Sequence, residues 1–310
     1  MERVRQKIYC EIDFLLKFFE ERPRGTSSDV LSEDEEFSLL EIWIKYRNIF
    51  FKNAVIYLNI SQDQFFQNSH PFLNELKKRK GDGEIKLKFN QKPFENFDEV
   101  DSHSLFFLAD YKKCEELEEK YGMLFISNED YIKRADILFS SSTFYPISSD
   151  TDWNILSSYK HPCSNLTLID NYLFSNRSLN LIRTSLFSLL KALLPEKLKC
   201  DFKLTIIAKK DENQRELKID NGNSVEKSII SDIIKSLNLK YKVDVKFIPV
   251  RYSQHDRYIL TNYYLFDCGY GFVLDTTQKS KGTHLHINRI TQHGVLNTIT
   301  ELEEKLKILS

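Results

Sequence analysis

The run His255-Asp256-Arg257-Tyr258-Ile259-Leu260-Thr261-Asn262 places an imidazole, a guanidinium and a carboxamide at positions i, i+2 and i+7. Its apolar, β-branched and aromatic character reads as a strand, in which alternate residues share a face. His255, Arg257 and Ile259 then point one way, and Asp256, Tyr258 and Leu260 the other. A ring nitrogen beside a rigid fork of donors has the chemistry to attack and clamp a phosphoryl group. The competing reading of the same residues is an ordinary Asp-Arg ion pair in a hairpin, with His255 bonded to turn backbone.

Several elements must position such a site. Leu166 to Ile169 reads as a buried strand ending at Asp170, and Ser178 to Leu194 as a helix stopped by Pro195. A strand is expected over Phe202–Ala208, a helix over Val225–Leu237 and a strand over Val243–Val250. Arg257–Asn262 and Tyr264–Leu274 read as a hairpin, and Thr300–Leu309 as a closing helix.

The order of strand Leu166-Thr167-Leu168-Ile169-Asp170, then Val250-Arg251-Tyr252-Ser253-Gln254-His255-Asp256-Arg257, then Gly269-Tyr270-Gly271-Phe272 resembles a single phospholipase D-type domain over residues 155–310. It is equally similar to the C-terminal domain of proteins that carry a microtubule-interacting and trafficking domain. The resemblance implies a mixed sheet and a metal-independent phosphodiesterase site without a cofactor. On it His255 is nucleophile, Arg257 takes the place of the phosphate-binding lysine, and Asn262 stands where the family has an acid. Asp170 would hold the imidazole or contact substrate, and Arg251 and Lys281 would add phosphate contacts. Asn cannot carry the charge that favours an imidazolium, so this departure also fits a noncatalytic phosphate-, membrane- or protein-binding module. The family's two-step chemistry uses a second histidine. With one motif in the chain it must come from a second copy in a homodimer, or from His161, His284 or His286.

The N-terminal half, residues 1–150, reads as a layered α/β domain of unassigned function. Apolar residues at helical spacing predict one helix from Lys7 to Glu20. Alternatively Ile8-Tyr9-Cys10-Glu11-Ile12-Asp13 is a strand leading into a helix, which faintly resembles the opening of a PIN-type ribonuclease domain. That resemblance implies an acidic Mg²⁺ or Mn²⁺ site drawn from Glu11, Asp13, Asp110 and Asp130, with Glu41 and Glu129 as further partners, because hard cations take oxygen ligands. Helices are expected from Ser32, Ser61, Pro71, Tyr111 and Asp130, and strands at Ala54–Asn59, Ile85–Phe89, Ser104–Leu108 and Leu124–Ile126. Lys77 to Gly83 reads as a charged turn. Ser140 to Asp152 is the Ser-rich stretch where the two halves are expected to meet. The fold class expected for the whole chain is therefore α/β, in two layered domains.

Composition sets the outer bounds. The chain has 310 residues, 41% of them hydrophobic, and 44 basic against 45 acidic side chains. A nucleic-acid partner would therefore need a local basic patch rather than a global field. The five cysteines form no C-x-x-C pair, which argues against a thiolate zinc site. No Walker loop, dinucleotide fingerprint, nucleophile elbow or His-Glu-x-x-His helix is present, so the common nucleotide-hydrolase, dehydrogenase and protease routes are not expected. Met1 to Gln6 lacks the apolar stretch of a leader, and no apolar run of membrane-spanning length exists. The expectation is a cytoplasmic protein with free thiols, acting on nucleic acid or with a protein partner. By analogy of architecture, that setting is bacterial antiviral defence or a regulatory complex.

Overall fold

The computed structural model describes residues 4–23, 33–90, 100–148, 151–174, 178–209, 225–250, 257–269, 271–273 and 283–309. It is an α/β protein whose chain separates into two compact units. The first comprises residues 1–118, 123–140 and 291–297, and the second residues 119–122, 141–290 and 298–310.

The first unit is built on strands β1 (Gln6–Cys10), β2 (Ala54–Leu58), β3 (Ile85–Lys88), β4 (Leu105–Leu108) and β5 (Phe125–Ser127). They form one parallel sheet in the order β3-β2-β1-β4-β5. Helices α1 (Ile12–Glu20), α2 (Glu33–Phe51), α3 (Gln62–Gln67), α4 (Pro71–Gly81) and α5 (Tyr111–Tyr121) lie between them in the chain, and α6 (Tyr131–Phe139) follows β5. Phe14, Phe18, Tyr46, Phe50, Phe72 and Phe107 are fully or almost fully buried in one aromatic core. Trp43 joins it, stacked on Phe18 with centroids 5.3 Å apart. Such ring pairs add about 0.5–1.5 kcal/mol each beyond the area they bury.

The single helix expected over Lys7–Glu20 is two elements. Gln6–Cys10 is the central strand of the sheet, in register with β2 and β4, and the helix starts only at Ile12. A short apolar run satisfies both periods, and here backbone pairing on both sides decides. Lys77 to Lys80 lie on the last turns of α4 rather than in a turn, where their charge complements the helix C-terminus. The Ser61–Gln64 capping box starts α3 as its spacing implies.

The second unit contains β6 (Thr143–Ile147), a 3-10 helix (Trp153–Tyr159), β7 (Asn165–Ile169), α7 (Leu179–Leu193), β8 (Phe202–Lys209), α8 (Val225–Leu237), β9 (Val243–Val250), β10 (Tyr258–Thr261), β11 (Tyr264–Cys268) and β12 (Thr283–Arg289). The closing helix α9 runs Val295–Leu309. The seven strands form one mixed sheet, β6-β12-β11-β10-β7-β8-β9. β7, β8 and β9 are parallel, and the rest pair antiparallel. β6, inside the stretch expected to join two halves, is an edge strand of this sheet. α7 buries Ile182, Leu186, Leu189, Leu190 and Leu193, one apolar stripe at helical spacing.

One consequence matters for function. The strand directions bring the C-terminal ends of β7, β8 and β9, the start of β10, the end of β11 and the start of β12 to a single edge of the sheet. Ligands of open α/β sheets bind outside the C-terminal ends of parallel strands. No helix among the described residues is long and apolar enough to cross a membrane.

Candidate functional site

Asp170 leaves the C-terminal end of β7 at this edge, and Arg257 precedes β10 beside it. Asp170 is fully buried. Its Oδ1 accepts the Tyr172 N–H at 2.9 Å and its Oδ2 the Phe272 N–H at 3.1 Å. The Arg257 Nε lies 3.6 Å from Asp170 Oδ1, with the arginine side chain 18% exposed and the aspartate 1%. Arg257 Nη1 donates to the Gly269 carbonyl, and its guanidinium lies over the Tyr172 ring, 5.1 Å from the centroid. The Nε contact with Asp170 is an ion pair too long for a hydrogen bond, and among the described residues neither Nε nor Nη2 has an acceptor.

The turn after β11 closes around this pair. Gly271 has φ +104°, and a Cβ there would lie 2.9 Å from Asp170 Oδ2 and 3.3 Å from Arg257 Cδ. Phe272 is buried and contacts the Trp153 ring at 5.9 Å. Gly269 thus bonds the guanidinium through its carbonyl, Gly271 lies close against both side chains, and the Phe272 N–H holds the carboxylate. Asp170 acts as a brace for Arg257, with both of its oxygens engaged by backbone.

His255, Arg251 and Lys281 lie outside the described residues. In sequence His255 is two residues before Arg257.

Asn262 is not at this site. It follows β10 at the far end of the strand, about 16 Å from Arg257 at the usual rise per residue. It is fully buried. Its Oδ1 accepts the N–H groups of Ser164 and Asn165 at 3.3 and 3.4 Å. Its Nδ2 donates to the Gly122 carbonyl at 3.2 Å and the Ser164 hydroxyl at 3.4 Å. The amide serves both roles at once, which a carboxylate cannot, and this gives Asn262 a structural task in place of the expected catalytic one. Asn262→Ala should lower stability by about 2–3 kcal/mol, through the orphaned backbone groups it leaves. A thermal melt indistinguishable from that of the parent would refute this assignment.

The in-chain histidines do not join Arg257 either. His161 stacks on Tyr264, the first residue of β11 and two residues from Asn262, at the far end of the sheet from Arg257. His286 pairs across from Asp267, which pairs across from Tyr258. That row alternates with the one holding Arg257 and Cys268, so His286 projects from the other face of the sheet. It packs against Phe144 instead, with centroids 4.2 Å apart. His284, two residues away, lies across from Pro146 on that same face.

In the first unit, β1 and β4 bring Glu11 and Asp110 to adjacent strand ends, as the strand-then-helix reading expects. Glu11 is nevertheless satisfied by the Ala109 N–H at 2.9 Å and the Lys113 ammonium at 3.1 Å. Asp110 accepts the Lys112 N–H at 2.9 Å and so caps the start of α5. Asp13 is exposed in the first turn of α1. Asp130 belongs elsewhere. Its Oδ1 accepts the Ser127 N–H and hydroxyl, both at 2.8 Å, and its Oδ2 pairs with Arg134 Nε at 2.9 Å. Among the described residues no group of three His, Cys, Asp or Glu side chains is placed to hold a metal ion. The four acids do not converge because each is claimed by local backbone, a cation or solvent.

Arg134 also bonds Glu118 Oε2 at 2.9 Å, and Glu118 Oε1 accepts the Phe125 N–H at 3.1 Å. Burial pushes the Glu118 carboxyl up to about 7, against the pull of Arg134. The folded chain then keeps a proton that the unfolded chain releases near the ordinary glutamate value. Stability therefore falls as pH rises between about 4.5 and 7, by an amount on the order of a few kcal/mol. Melts from pH 4.5 to 8 should show this slope in the parent and lose it in Glu118→Gln. Equal slopes would refute it.

Comparison with known proteins adds no identity: no family model and no curated protein matches the chain. Among solved structures, TrmBL2, an archaeal chromatin protein described as showing a novel mode of DNA binding, is 11% identical. The match covers 57% of each chain, with a TM-score of 0.28. A muramoyltetrapeptide carboxypeptidase from Oxalobacter formigenes is 12% identical over 91% of this chain and 99% of its own, with a TM-score of 0.20. At these TM-scores neither likeness carries an argument about fold or function.

Proposed function

We propose that the second unit recognises a phosphodiester of nucleic acid at the edge where β7, β10 and β11 meet, and cleaves it without a metal. The observation that supports this is the braced guanidinium. Asp170, Gly269 and Tyr172 hold Arg257 in place while Nη2 has no acceptor among the described residues. A pre-oriented arginine donor suits a phosphate oxygen, because little rotamer freedom is lost on binding.

In the cleavage step the imidazole of His255 attacks phosphorus. A P–N bond forms as the P–O bond to the leaving oxygen breaks, and Arg257 offsets charge on the non-bridging oxygens. The leaving oxygen takes a proton from a general acid, and water then cleaves the P–N bond. His284 and His286 project from the other face of the sheet and His161 lies at its far end, so this reading assigns the acid to His255 of a second copy across a homodimer axis.

A second reading has its own support. Asp170 offsets much of the charge on Arg257, and Asn262 is committed to structure. Both features favour a noncatalytic phosphate-, membrane- or protein-binding module, in a defence or regulatory complex.

One assay separates the two. Labelled single- and double-stranded oligonucleotides are incubated with the full chain, with and without a chelator, for the parent and His255→Ala. Cleavage that survives the chelator and vanishes in His255→Ala supports the enzyme. Retained binding without turnover in both proteins supports the module, and loss of cleavage on chelation sinks the metal-independent route.

A further inference from the structure

One buried acid of the second unit lies apart from the Asp170–Arg257 pair. Glu226 is the second residue of α8 and is 5% exposed. Among the described residues no cation and no hydrogen-bond donor meets its carboxylate. It heads a stripe with Ile229, Ile230 and Ile233, all buried, at positions i, i+3, i+4 and i+7. Residues so spaced share one helix face, so Glu226 points as the isoleucines do, onto the sheet. α8 joins the parallel neighbours β8 and β9 and runs back against them. Its N-terminus therefore stands at the edge where those strands end.

That is also the edge, and the face, of Arg257. Ile259, Leu168 and Ile206 are cross-strand neighbours and share one face of the sheet. Arg257 lies two residues before Ile259 and belongs to that face. A crossover of fixed hand puts α7 and α8 on one side of β7-β8-β9. The burial of β8 says which side: Phe202, Leu204 and Ile206 are fully buried, while Lys203 on the other face is exposed. The order β10-β7-β8-β9 sets Arg257 and the start of α8 two to three strand spacings apart, about 10–15 Å. That is within the reach of one nucleotide held by its phosphate at one end and its base at the other. An acid in the first turn offsets the helix dipole, which explains an exposed glutamate. It does not explain a buried one, because a carboxylate without a partner loses its hydration for nothing in return.

We propose that Glu226 is the base-specificity residue of this edge and selects guanine in a single strand. The inference rests on the phosphodiester reading: Arg257 holds a phosphate, and Glu226 meets the base of the adjoining nucleotide. An ionised carboxylate only accepts hydrogen bonds, through two oxygens side by side. On its Watson–Crick edge guanine presents two adjacent donors, N1–H and the N2 amino group, which match both oxygens. Adenine and cytosine set an acceptor beside their amino donor, and thymine flanks its one N–H with two carbonyl oxygens. Each of these turns an acceptor toward the carboxylate. The edge is free only in an unpaired base, so a duplex is not recognised in this way.

The test is fluorescence anisotropy with the full chain and labelled oligo(dT) strands whose central base is thymine, guanine or inosine. Inosine keeps N1–H and lacks the N2 amino group. The parent should bind the guanine strand about tenfold more tightly than the thymine strand, the worth of a bidentate base contact, with inosine in between. Glu226→Gln should bind all three alike, at the parent's affinity for oligo(dT), because the amide replaces one acceptor oxygen with a donor. Arg257→Ala should weaken all three by the same factor and keep the order. Equal binding of the guanine and inosine strands by the parent would overturn the proposal and leave the phosphodiester reading standing. No binding of any strand would overturn both. A guanine preference that survives in Glu226→Gln would overturn the assignment to this residue. The guanine–inosine comparison needs the parent alone, so it holds even where Glu226→Gln does not fold.

Discussion

Arg257→Ala should lose phosphodiester binding by about tenfold to a hundredfold, the range for a hydrogen bond to a charged group. It should also destabilise the second unit. Removing the guanidinium takes away the cation 3.6 Å from the buried Asp170 carboxylate. Breaking a buried pair costs about 3–5 kcal/mol, and the low end applies because two backbone N–H groups still hold the carboxylate. About 3 kcal/mol in a unit of this size lowers the melting midpoint by roughly 6–12 °C. Arg257→Lys separates the two effects. The ammonium can still neutralise Asp170, so the midpoint should largely recover. The planar fork is gone, so binding should not. Calorimetry and oligonucleotide titration of the two variants test this. Parent-like melting and binding in Arg257→Ala would remove both the brace and the phosphate reading.

Gly271→Ala should be nearly as damaging without touching either charge. At φ +104° an L side chain is strained, which costs about 1–3 kcal/mol. The added methyl would sit 2.9 Å from Asp170 Oδ2, so it must displace the carboxylate that orients Arg257. Gly294 also has positive φ, +82°, yet a Cβ there meets nothing within 4 Å. Gly294→Ala should therefore show the backbone cost alone, with phosphodiester affinity intact. Equal affinity losses in the two variants would mean that backbone strain, rather than collision at Asp170, limits binding.

Much of the second unit was legible because its elements are long and punctuated. Pro195 ends α7 at Leu193, Ser178 caps its start, and apolar residues interleaved with Thr and Lys mark β7 and β8. β6 was not legible. Thr143 to Ile147 contains a proline and sits in a serine-rich stretch, signals of a loop, and it is a strand only because β12 pairs with it. β1 was ambiguous, since Ile8 to Leu16 fits a helical stripe until neighbours on both sides claim Gln6–Cys10.

The site shows the same division. That Arg257 and Asp170 share one edge follows from a strand order that sequence alone does not reveal, and the motif resemblance is what brought them together on paper. Asn262 was misplaced because motif spacing counts residues along a strand and says nothing about which end is open. Asp130 looked like a free acid, whereas the cation that claims it, Arg134, lies one helical turn away on α6. That i, i+4 spacing was a readable signal. The close approach of the Gly269-x-Gly271 turn to both side chains had only a faint trace in the glycine pair.

The chain has two tryptophans, and they fall one in each unit. Trp43 stacks on Phe18, while Trp153 touches Phe272, whose amide bonds Asp170. Each unit thus contains its own intrinsic optical probe. Emission from a Trp43→Phe protein isolates the indole closest to the Asp170 turn, so occupancy there can be followed with no attached dye. Trp153→Phe leaves the other indole to follow melting of the parallel-sheet half alone.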